Sequence, residues 1–300
     1  MPPSIVLALA LVGISFAGPL VRLSHANPLA IAIWRIGFSL IIIALALVAS
    51  GSWRQWRRLN RSGVLVAVGA GAMLALHFWA WNSSIDMTTV AASVVLVNMQ
   101  PALVALLSAV WLREPPSYRQ WIGIAIAMVG AGIVALPDVA GPAGADARRA
   151  LIGDVLALAG AVAAACYFVA GRRLRSTLDI WPYVGLVYGT SFVVLIGLAA
   201  LAHAPVVHQP PRELAIFAAL AIGPMLFGHT GLNWALRYLP AYVVNLTLLG
   251  EPVGATVLAA VLPGIREVPS TATFLGGALI LAGIYVTARS ERLARAAAAG

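Results

Sequence analysis

The chain alternates between long apolar segments and short polar ones. A helix needs about 20 apolar residues to cross the hydrocarbon of a bilayer. Ten segments approach that length, and each predicts a transmembrane helix. They cover residues 4–22, 29–50, 63–83, 88–111, 119–136, 151–171, 181–202, 213–235, 240–262 and 271–289. The pattern therefore predicts an all-α integral membrane protein with ten transmembrane helices, which we call spans one to ten.

The second half of the sequence repeats the first. Pro101 falls on Pro252 at a shift of 151 residues (252 − 101), and Arg113 falls on Arg266 at a shift of 153 after a short insertion. Matched prolines, Arg-Glu pairs and glycines in one order are not easily chance, so we predict an internal duplication. The predicted units are a first five-helix repeat at 1–137, a linker at 138–150, a second repeat at 151–289 and a cytoplasmic tail at 290–300.

Arginines predict the orientation of the chain. All 19 basic residues are Arg. Thirteen fall on the side that holds both predicted termini, five fall on the other side, and Arg35 lies inside span two. Because cytoplasmic loops carry the excess of positive charge, both termini are predicted to be cytoplasmic. Since five spans is an odd number, the second repeat enters the membrane inverted, as in many secondary transporters.

Composition supports a membrane protein and excludes other classes. Hydrophobic residues make up 61% of the chain and charged residues 10%, whereas soluble domains carry roughly 25% charged residues. The net charge of +9 could suggest nucleic acid, but most arginines lie in short loops, as topology signals do. We therefore predict that the protein is embedded in a lipid bilayer and does not bind nucleic acid. Cys166 is alone, so no internal disulfide can form.

Spans four and nine each carry a proline near the middle. Pro101 removes the hydrogen bond to the carbonyl of Val97, and Pro252 removes the one to Leu248. Either proline could mark a tolerated kink, or the loosened helix could line a cavity and bend as that cavity opens. Their equal placement in the two repeats favours the second interpretation, with both prolines as hinges.

Polar side chains gather beside these prolines. Asn98 and Gln100 precede Pro101, and Glu251 precedes Pro252. Glu251 is the one carboxylate near the centre of any span, and a charge there costs roughly 3 kcal/mol. We expect it to be protonated, paired or facing water. Three roles stay open: a tie between helices, a contact for a substrate amino group, and a carrier of protons.

Other polar residues have plainer interpretations. Arg35, early in span two, is expected to reach the interface or to pair with a carbonyl at a helix end. The Arg-Glu pairs at 113–114 and 266–267 follow the proline helices and are expected to cap them. Two histidines on separate helices, His77 and His229, are only a weak metal signal, and we predict no metal and no cofactor.

Glycines in spans five and ten predict close packing. Gly123 and Gly130 lie seven residues apart, as do Gly276 and Gly283. A spacing of seven places each pair on one helix face, where the absence of side chains lets another helix approach.

Two five-helix copies, each with a proline in its fourth helix, an Arg-Glu after it and a Gly-rich fifth helix, resemble the EamA repeats of the drug/metabolite transporter superfamily. The resemblance covers about residues 4–289 and is strongest over LVNMQPALVALLSAVWLREPPSYRQWIG and LTLLGEPVGATVLAAVLPGIREVPSTATFLGG. It implies a monomeric, exporter-like carrier of a bacterial inner membrane, with both termini cytoplasmic. It also implies a cavity built by helices one, three, four, six, eight and nine. Gln100 replaces the carboxylate in the first repeat, so any role of Glu251 is confined to one half.

Within that superfamily, the mixture of aromatic and polar residues is similar to the bacterial aromatic amino-acid exporters. Aromatic faces can stack on an apolar ring, while amides and Glu251 can hold an amino-acid head group. The predicted substrate-binding residues are Phe16, His77, Phe78, Trp81, Asn98, Gln100, Tyr167, His229, Asn233, Tyr242, Asn245 and Glu251.

We therefore predict a secondary transporter that exports small metabolites, chiefly amino acids including aromatic and hydrophobic ones, by alternating access at a central cavity. The alternative is a multidrug or other small-metabolite carrier of the same fold. Phosphate-bearing substrates are disfavoured because no cation is predicted deep enough to clamp them. An intramembrane enzyme is disfavoured because the aspartates lie in loops or near helix ends, and a channel because rings of like charge are absent.

Overall fold

Helices account for most of the part of the chain that the structure describes. This computed structural model describes residues 1–88, 90–139, 145–262 and 271–299. Within these ranges there is no β-strand. In chain order the helical segments are Pro3–Leu23 (α1), Pro28–Ser50 (α2), Arg61–Met87 (α3), Val90–Val97 with Gln100–Leu112 (α4), Tyr118–Val139 (α5), Ala145–Leu174 (α6), Ile180–Leu201 (α7), Pro211–Ala235 (α8), Ala241–Thr247 with Glu251–Val261 (α9), and Thr271–Ala299 (α10).

Seven candidate membrane spans lie in the described residues. They fall in α1, α2, α3, α6, α7, α8 and α9, which are long and apolar enough to cross a bilayer. Two shorter apolar stretches lie at Gln100–Leu112 and Phe274–Thr287. The predicted all-α membrane class is confirmed, whereas the number of ten spans stays a prediction.

The predicted linker and tail are partly helical. α5 continues to Val139 and α6 already begins at Ala145, so both helices extend into the predicted linker at 138–150. Residues 140–144 lie outside the described part of the chain. α10 continues through the predicted tail as far as Ala299.

Asparagines begin two of the first helices. The Asn27 side chain accepts a hydrogen bond from the Leu29 N–H at 2.9 Å, and the Asn60 side chain accepts one from the Gly63 N–H at 2.8 Å. These caps satisfy amide donors that a helix start leaves free. Between them, Gly51 ends α2 in the left-handed conformation, with φ of 61°. Between α2 and α3, residues Ser52–Arg58 form a short, Arg-rich 3-10 helix.

The exposure of apolar and polar side chains differs from that in a soluble protein. Large apolar side chains point outward, and Val48 and Val193 are 76% and 67% exposed. Polar residues lie in the interior among apolar ones, and Asn233 and Asn245 are fully buried there. Because lipid solvates apolar side chains and offers no hydrogen bonds to polar ones, this arrangement suits a bilayer.

Helices of the two repeats pack on one another in a symmetric pattern. α1 packs on α8 and α3 on α6, while α2 packs on α7, α4 on α9 and α5 on α10. Gly123 lies beside Gly283, and Gly130 lies beside Gly276. The later glycine of α5 therefore contacts the earlier glycine of α10, so these two helices are antiparallel. In the same way Gly37 of α2 lies beside Phe192, and residues further along α2 lie beside Gly185, so α2 and α7 are antiparallel too.

The close glycine packing that the sequence predicted is confirmed. A Cβ atom added to Gly130 would lie 2.6 Å from the Gly276 carbonyl oxygen and 2.8 Å from the Ile280 amide nitrogen. Both atoms belong to the backbone of α10, so they cannot make room for the Cβ atom unless the whole helix shifts. A Cβ on Gly132, two residues further along α5, would meet nothing within 4 Å.

We expect Gly130→Ala to lower the stability of the folded protein by about 2 kcal/mol, since it forces α5 and α10 apart. Gly132→Ala is the matched control and should leave the melting temperature unchanged or slightly raised. Thermal unfolding in detergent micelles would compare the two. Equal melting temperatures for both variants would contradict the proposed packing of α5 on α10.

The Arg-Glu pair after α4 has a different role from the one expected. Arg113 does end α4, in a left-handed conformation with φ of 57°. The Glu114 side chain instead forms an ion pair with Arg172 at 2.8 Å, and Arg172 also donates to the Leu236 carbonyl at 2.7 Å. The capping role expected of Glu114 is therefore wrong, because its side chain reaches another helix. The equivalent pair at 266–267 lies outside the described residues.

Candidate functional site

A small cavity lies among helices of both repeats. Its volume is about 20 Å³, roughly the room that one water molecule needs. α1, α3 and α4 line it from the first repeat, and α8 and α9 from the second. The lining residues are Ile14, Ala17, His77, Trp81, Val97, Asn98, Gln100, His229, Leu248 and Glu251. An occupant larger than water requires these helices to move apart.

α4 and α9 are irregular where they meet the cavity. α4 is interrupted after Val97, and α9 contains a 3-10 turn at Leu248–Gly250. Pro101 and Pro252 lie in the first turn of the resumed helices, where a missing N–H does no harm. The residues whose carbonyls the prolines leave without a helical partner, Val97 and Leu248, both line the cavity. This placement favours the interpretation of α4 and α9 as loosened, cavity-lining helices.

Side chains just before the two prolines bind across the repeats. Gln100 donates from Nε2 to Oδ1 of Asn245 at 2.7 Å. Glu251 is in turn hydrogen-bonded to Asn98. Each asparagine also donates to the carbonyl four residues earlier on its own helix, at 2.8 and 2.9 Å. The two amides are thereby held rigidly, and they join α4 to α9 beside the cavity.

An imidazole and an indole ring form part of the wall. His77 lies parallel to Trp81, with ring centroids 6.2 Å apart and an interplanar angle of 2°. Nδ1 of His77 lies 3.0 Å from the Gly160 carbonyl oxygen. Because a carbonyl oxygen can only accept, Nδ1 carries the proton, and Nε2 of the neutral ring remains an acceptor.

Two polar atoms of the wall lack a partner within the described chain. They are Nε1 of Trp81 and Nδ1 of His229. Both side chains are buried, at 4% and 6% exposure, and both line the cavity. Buried polar groups are nearly always hydrogen-bonded, so an exception at a cavity points to an occupant. The wall therefore offers an N–H donor and an imidazole nitrogen to whatever enters.

Three predicted site residues lie behind the wall and support it. Phe78, Tyr167 and Asn233 are fully buried and do not line the cavity. The Phe78 ring packs edge-on against His229 with centroids 5.2 Å apart. Asn233 donates to the hydroxyl oxygens of Tyr167 and Tyr188. These contacts position His229 and do not place the three side chains against an occupant of the present cavity.

Three further predicted residues lie off the wall. Ile14 and Ala17, three positions apart on one face of α1, line the cavity, and Phe16 lies off that face. Tyr242 donates from its hydroxyl to Gln120 at 3.4 Å, toward α5. Asn245 reaches the wall only through Gln100. Phe16 and Tyr242 do not line the present cavity, because helix rotation directs them elsewhere, and their part in substrate binding stays a prediction.

Arg35 corrects a second expectation. Its side chain is fully buried, and the guanidinium carbon lies 4.1 Å from the centroid of the Phe78 ring. Nη2 is 4.0 Å from the sulfur of Met225, while Nε and Nη1 have no hydrogen-bond partner among the described residues. Arg35 does not reach the interface because it lies on the face of α2 that packs against α3 and α8. A cation therefore does lie deep in the bundle.

Part of this site carries no signal in the sequence. The apolar lining residues, such as Ile14 and Leu248, carry no signal that separates them from lipid-facing positions. Arg35 did carry one, since it is the single charge inside span two. Only its neighbours could show that it points inward.

Polar contacts tie the helices at both faces of the bundle. On the Arg-rich face, the Arg172–Glu114 ion pair joins α6 to α4. On the opposite face, Glu213 accepts a hydrogen bond from Ser24 and pairs with Arg212 at 2.8 Å, which joins α8 to the end of α1.

Comparison with known protein families identifies the class of the protein. The profile of the EamA-like transporter family matches residues 3–136 and matches again over residues 151–289. The chain belongs to the EamA-like transporter family. The transporter is therefore a multi-pass membrane protein that moves a small molecule across the bilayer, and it is not an enzyme.

Several proteins resemble the transporter over most of its length. An uncharacterized transporter of Archaeoglobus fulgidus is 26% identical over 293 residues, which are 96% of this chain and 99% of that protein. A probable terminal-alkyne amino-acid exporter of Streptantibioticus cattleyicolor is 28% identical over 250 residues, 82% of this chain and 80% of its own. A solved crystal structure superposes with a TM-score of 0.74 at 21% identity and covers 97% of this chain and 98% of its own. The transporter shares the fold of that protein.

Replacing Pro101 or Pro252 by Ala should slow transport without preventing insertion. Each change supplies the N–H that could join the two helical segments into one continuous helix. That hydrogen bond is worth about 1 kcal/mol, which lowers the population of a bent helix about fivefold. Pro211→Ala, at the start of α8, is the control and should transport normally. Initial rates in proteoliposomes would measure this, and wild-type rates in both hinge variants would show that the prolines serve packing alone.

Proposed function

We propose that this transporter exports amino acids, including aromatic and hydrophobic ones, across a bacterial inner membrane by alternating access at the central cavity. The observation that carries the proposal is the composition of one small cavity. Its wall combines a carboxyl group, side-chain amides and aromatic rings, and both repeats contribute to it. The name of the Streptantibioticus relative, a probable amino-acid exporter, agrees with this substrate class.

The polar part of the wall suits both charges of an amino acid. The Glu251 carboxyl, held by Asn98, can bind an ammonium group through charge-assisted hydrogen bonds. The unpartnered Nε1–H of Trp81 can donate to a carboxylate. These groups lie on α9 and α3, so a bound zwitterion would contact both repeats.

The remaining wall suits an apolar side chain. His77 and Trp81 form a parallel pair of rings, while Ile14, Ala17 and Leu248 add apolar surface. Such a surface favours an aromatic or branched side chain by burial and ring contact. A strongly polar side chain would lose its hydration there.

We extend the proposal to the topology: ten spans in two inverted repeats within residues 1–137 and 151–289, both termini cytoplasmic, and a monomeric carrier. The antiparallel contacts of α2 with α7 and of α5 with α10 support inversion. Equivalent helices of parallel repeats would run in the same direction. The excess of Arg on one face supports the orientation.

The small size of the cavity and the polar ties at the two faces of the bundle support alternating access. The cavity holds about one water molecule in this structure, so substrate enters after the helices part. Breaking the Arg172–Glu114 tie would open one face, and breaking the Ser24–Glu213 contact would open the other. The carrier thereby exposes its site to one face at a time.

The deciding experiment is transport in proteoliposomes with a panel of labelled compounds, with and without a pH gradient. We expect phenylalanine, leucine and related amino acids to move, and their decarboxylated amines to move much more slowly. If the amines move equally well, the carrier is a multidrug type. Transport of no amino acid at all would overturn the proposed substrate class.

Single cysteines introduced into a Cys166→Ser background would test the orientation. We expect a membrane-impermeant thiol reagent added to intact cells to label His208→Cys and to miss Ser62→Cys and Ser176→Cys. The reason is that residues 62 and 176 lie on the Arg-rich face, which we propose to be cytoplasmic, and residue 208 lies on the other. Labelling of all three positions, or the reverse pattern, would contradict the topology.

A further inference from the structure

A second and larger opening lies on the Arg-rich face, away from the central cavity. Its volume is about 520 Å³, and it shares no lining residue with the central cavity. Residues 50–58 from the first repeat form one side, and residues 175–181 and 234–238 from the second repeat form the other. We call it the arginine groove, after Arg54, Arg58, Arg175 and Arg237, which line it.

The groove holds more positive charge than its own acid can balance. Asp179 is its one carboxylate, and it pairs with Arg237. Gln55 also donates to Asp179 at 2.6 Å. Hydrogen bonds from Gln55 and Arg237 hold the pKa of Asp179 below its usual range, so it remains ionised. This acid is therefore already neutralised by Arg237.

The other three arginines have no carboxylate partner among the described residues. Arg175 is 1% exposed, and its guanidinium donates only to neutral backbone carbonyls, including that of Asn233 at 3.1 Å. Burial lowers the pKa of Arg175 to about 10, which leaves it charged at neutral pH. Arg54 lies near the ring of Trp53, and Arg58 is exposed. An anion entering the groove would therefore meet the exposed cations of Arg54 and Arg58, with the buried charge of Arg175 behind them.

Tryptophans place the groove at the depth of the membrane interface. Trp181 and Trp234 line it, and Trp53 beside it is 41% exposed. Trp56 donates from its indole nitrogen to the Pro182 carbonyl at 2.8 Å, which joins the two sides of the groove. Exposed tryptophans concentrate where acyl chains meet head groups. The groove therefore combines cations with apolar surface at head-group level.

We propose that the arginine groove binds the phosphate of an anionic phospholipid head group in the leaflet on the Arg-rich face. Guanidinium groups bind phosphate oxygens in pairs, and basic pockets between transmembrane helices hold anionic head groups in the same way. The indole rings suit the glycerol and upper acyl chain. Because Arg54 and Arg58 belong to the first repeat and Arg175 and Arg237 to the second, the bound lipid bridges the repeats. This proposal does not depend on which substrate is transported.

The test compares two double variants of the same loop. Arg54→Gln with Arg58→Gln removes two groove cations, and Arg57→Gln with Arg61→Gln removes two neighbours that do not line the groove. Native mass spectrometry would measure the binding of phosphatidylglycerol and phosphatidylcholine to the full-length protein. We expect phosphatidylglycerol to bind about 30-fold more weakly to the groove variant. The control variant should bind it nearly as the wild type does, and phosphatidylcholine should bind weakly to all three.

Other results would overturn the proposal. Equal weakening in both variants would show diffuse charge attraction and no groove site. Binding of glycerol 3-phosphate as tight as that of phosphatidylglycerol would assign the groove to a free anion. Should the Gln variant fail to fold, Arg54→Lys with Arg58→Lys keeps the charge and loses the paired guanidinium contacts. It should still weaken binding several-fold, and unchanged binding would contradict the proposal.

Discussion

Glu251→Gln is expected to slow both exchange and net transport of amino acids about 30-fold. A charge-assisted hydrogen bond to an ammonium group is worth about 2 kcal/mol. Glu251 is the one carboxyl group in the cavity wall, which lies wholly within described residues. Gln has nearly the same volume and can keep the hydrogen bond to Asn98. The variant should therefore fold normally and lose mainly the carboxyl group that we propose to bind the substrate ammonium.

Three outcomes separate the roles open to Glu251. If exchange and gradient-driven transport are both lost at an unchanged melting temperature, Glu251 contacts the substrate. Loss of gradient-driven transport with intact exchange would identify a proton carrier, because exchange needs no net release of protons. Survival of both modes with a lower melting temperature would identify a tie between helices. Asp86→Asn, an exposed acid at the end of α3, is the control and should change neither quantity.

Arg35→Met is expected to abolish transport while leaving the melting temperature unchanged or raising it. The guanidinium is fully buried, and two of its nitrogens lack a partner among the described residues. Replacing buried, paired charges by apolar side chains of similar volume is often neutral or stabilising, by about 1–4 kcal/mol. Arg35 has no carboxylate at ion-pair distance among the described residues, so its loss leaves no opposite charge unpaired. A charge retained at such a cost points to a role in transport.

That role follows from the neighbours of Arg35. Its guanidinium lies on the Phe78 ring, which packs against His229 in the cavity wall. Arg35 can therefore bias the cavity toward an anionic group such as a substrate carboxylate. Met225→Leu removes only the sulfur contact and should transport normally, whereas an unfolded or unstable Arg35→Met would show that Arg35 is structural.

The sequence by itself determined the class of protein and the internal duplication. A bilayer accepts only apolar segments of a minimum length, so the class can be predicted from composition and spacing alone. The duplication is visible because Pro101 and Pro252 occupy equivalent positions in matching surroundings. Glu251 and Gln100 were identifiable as candidates because a polar group within an apolar span is costly and therefore informative.

Only the tertiary structure decided which side chains meet. In a helix that is apolar all round, no periodic pattern separates the face toward lipid from the face toward the interior. Rotation of each helix is set by partners distant in sequence, so Arg35 lies on Phe78 instead of at the interface. The same partners bring Gln100 to Asn245 and direct Phe16 away from the cavity. The arginine groove likewise arises from loops of both repeats, and its charge balance depends on Asp179 meeting Arg237.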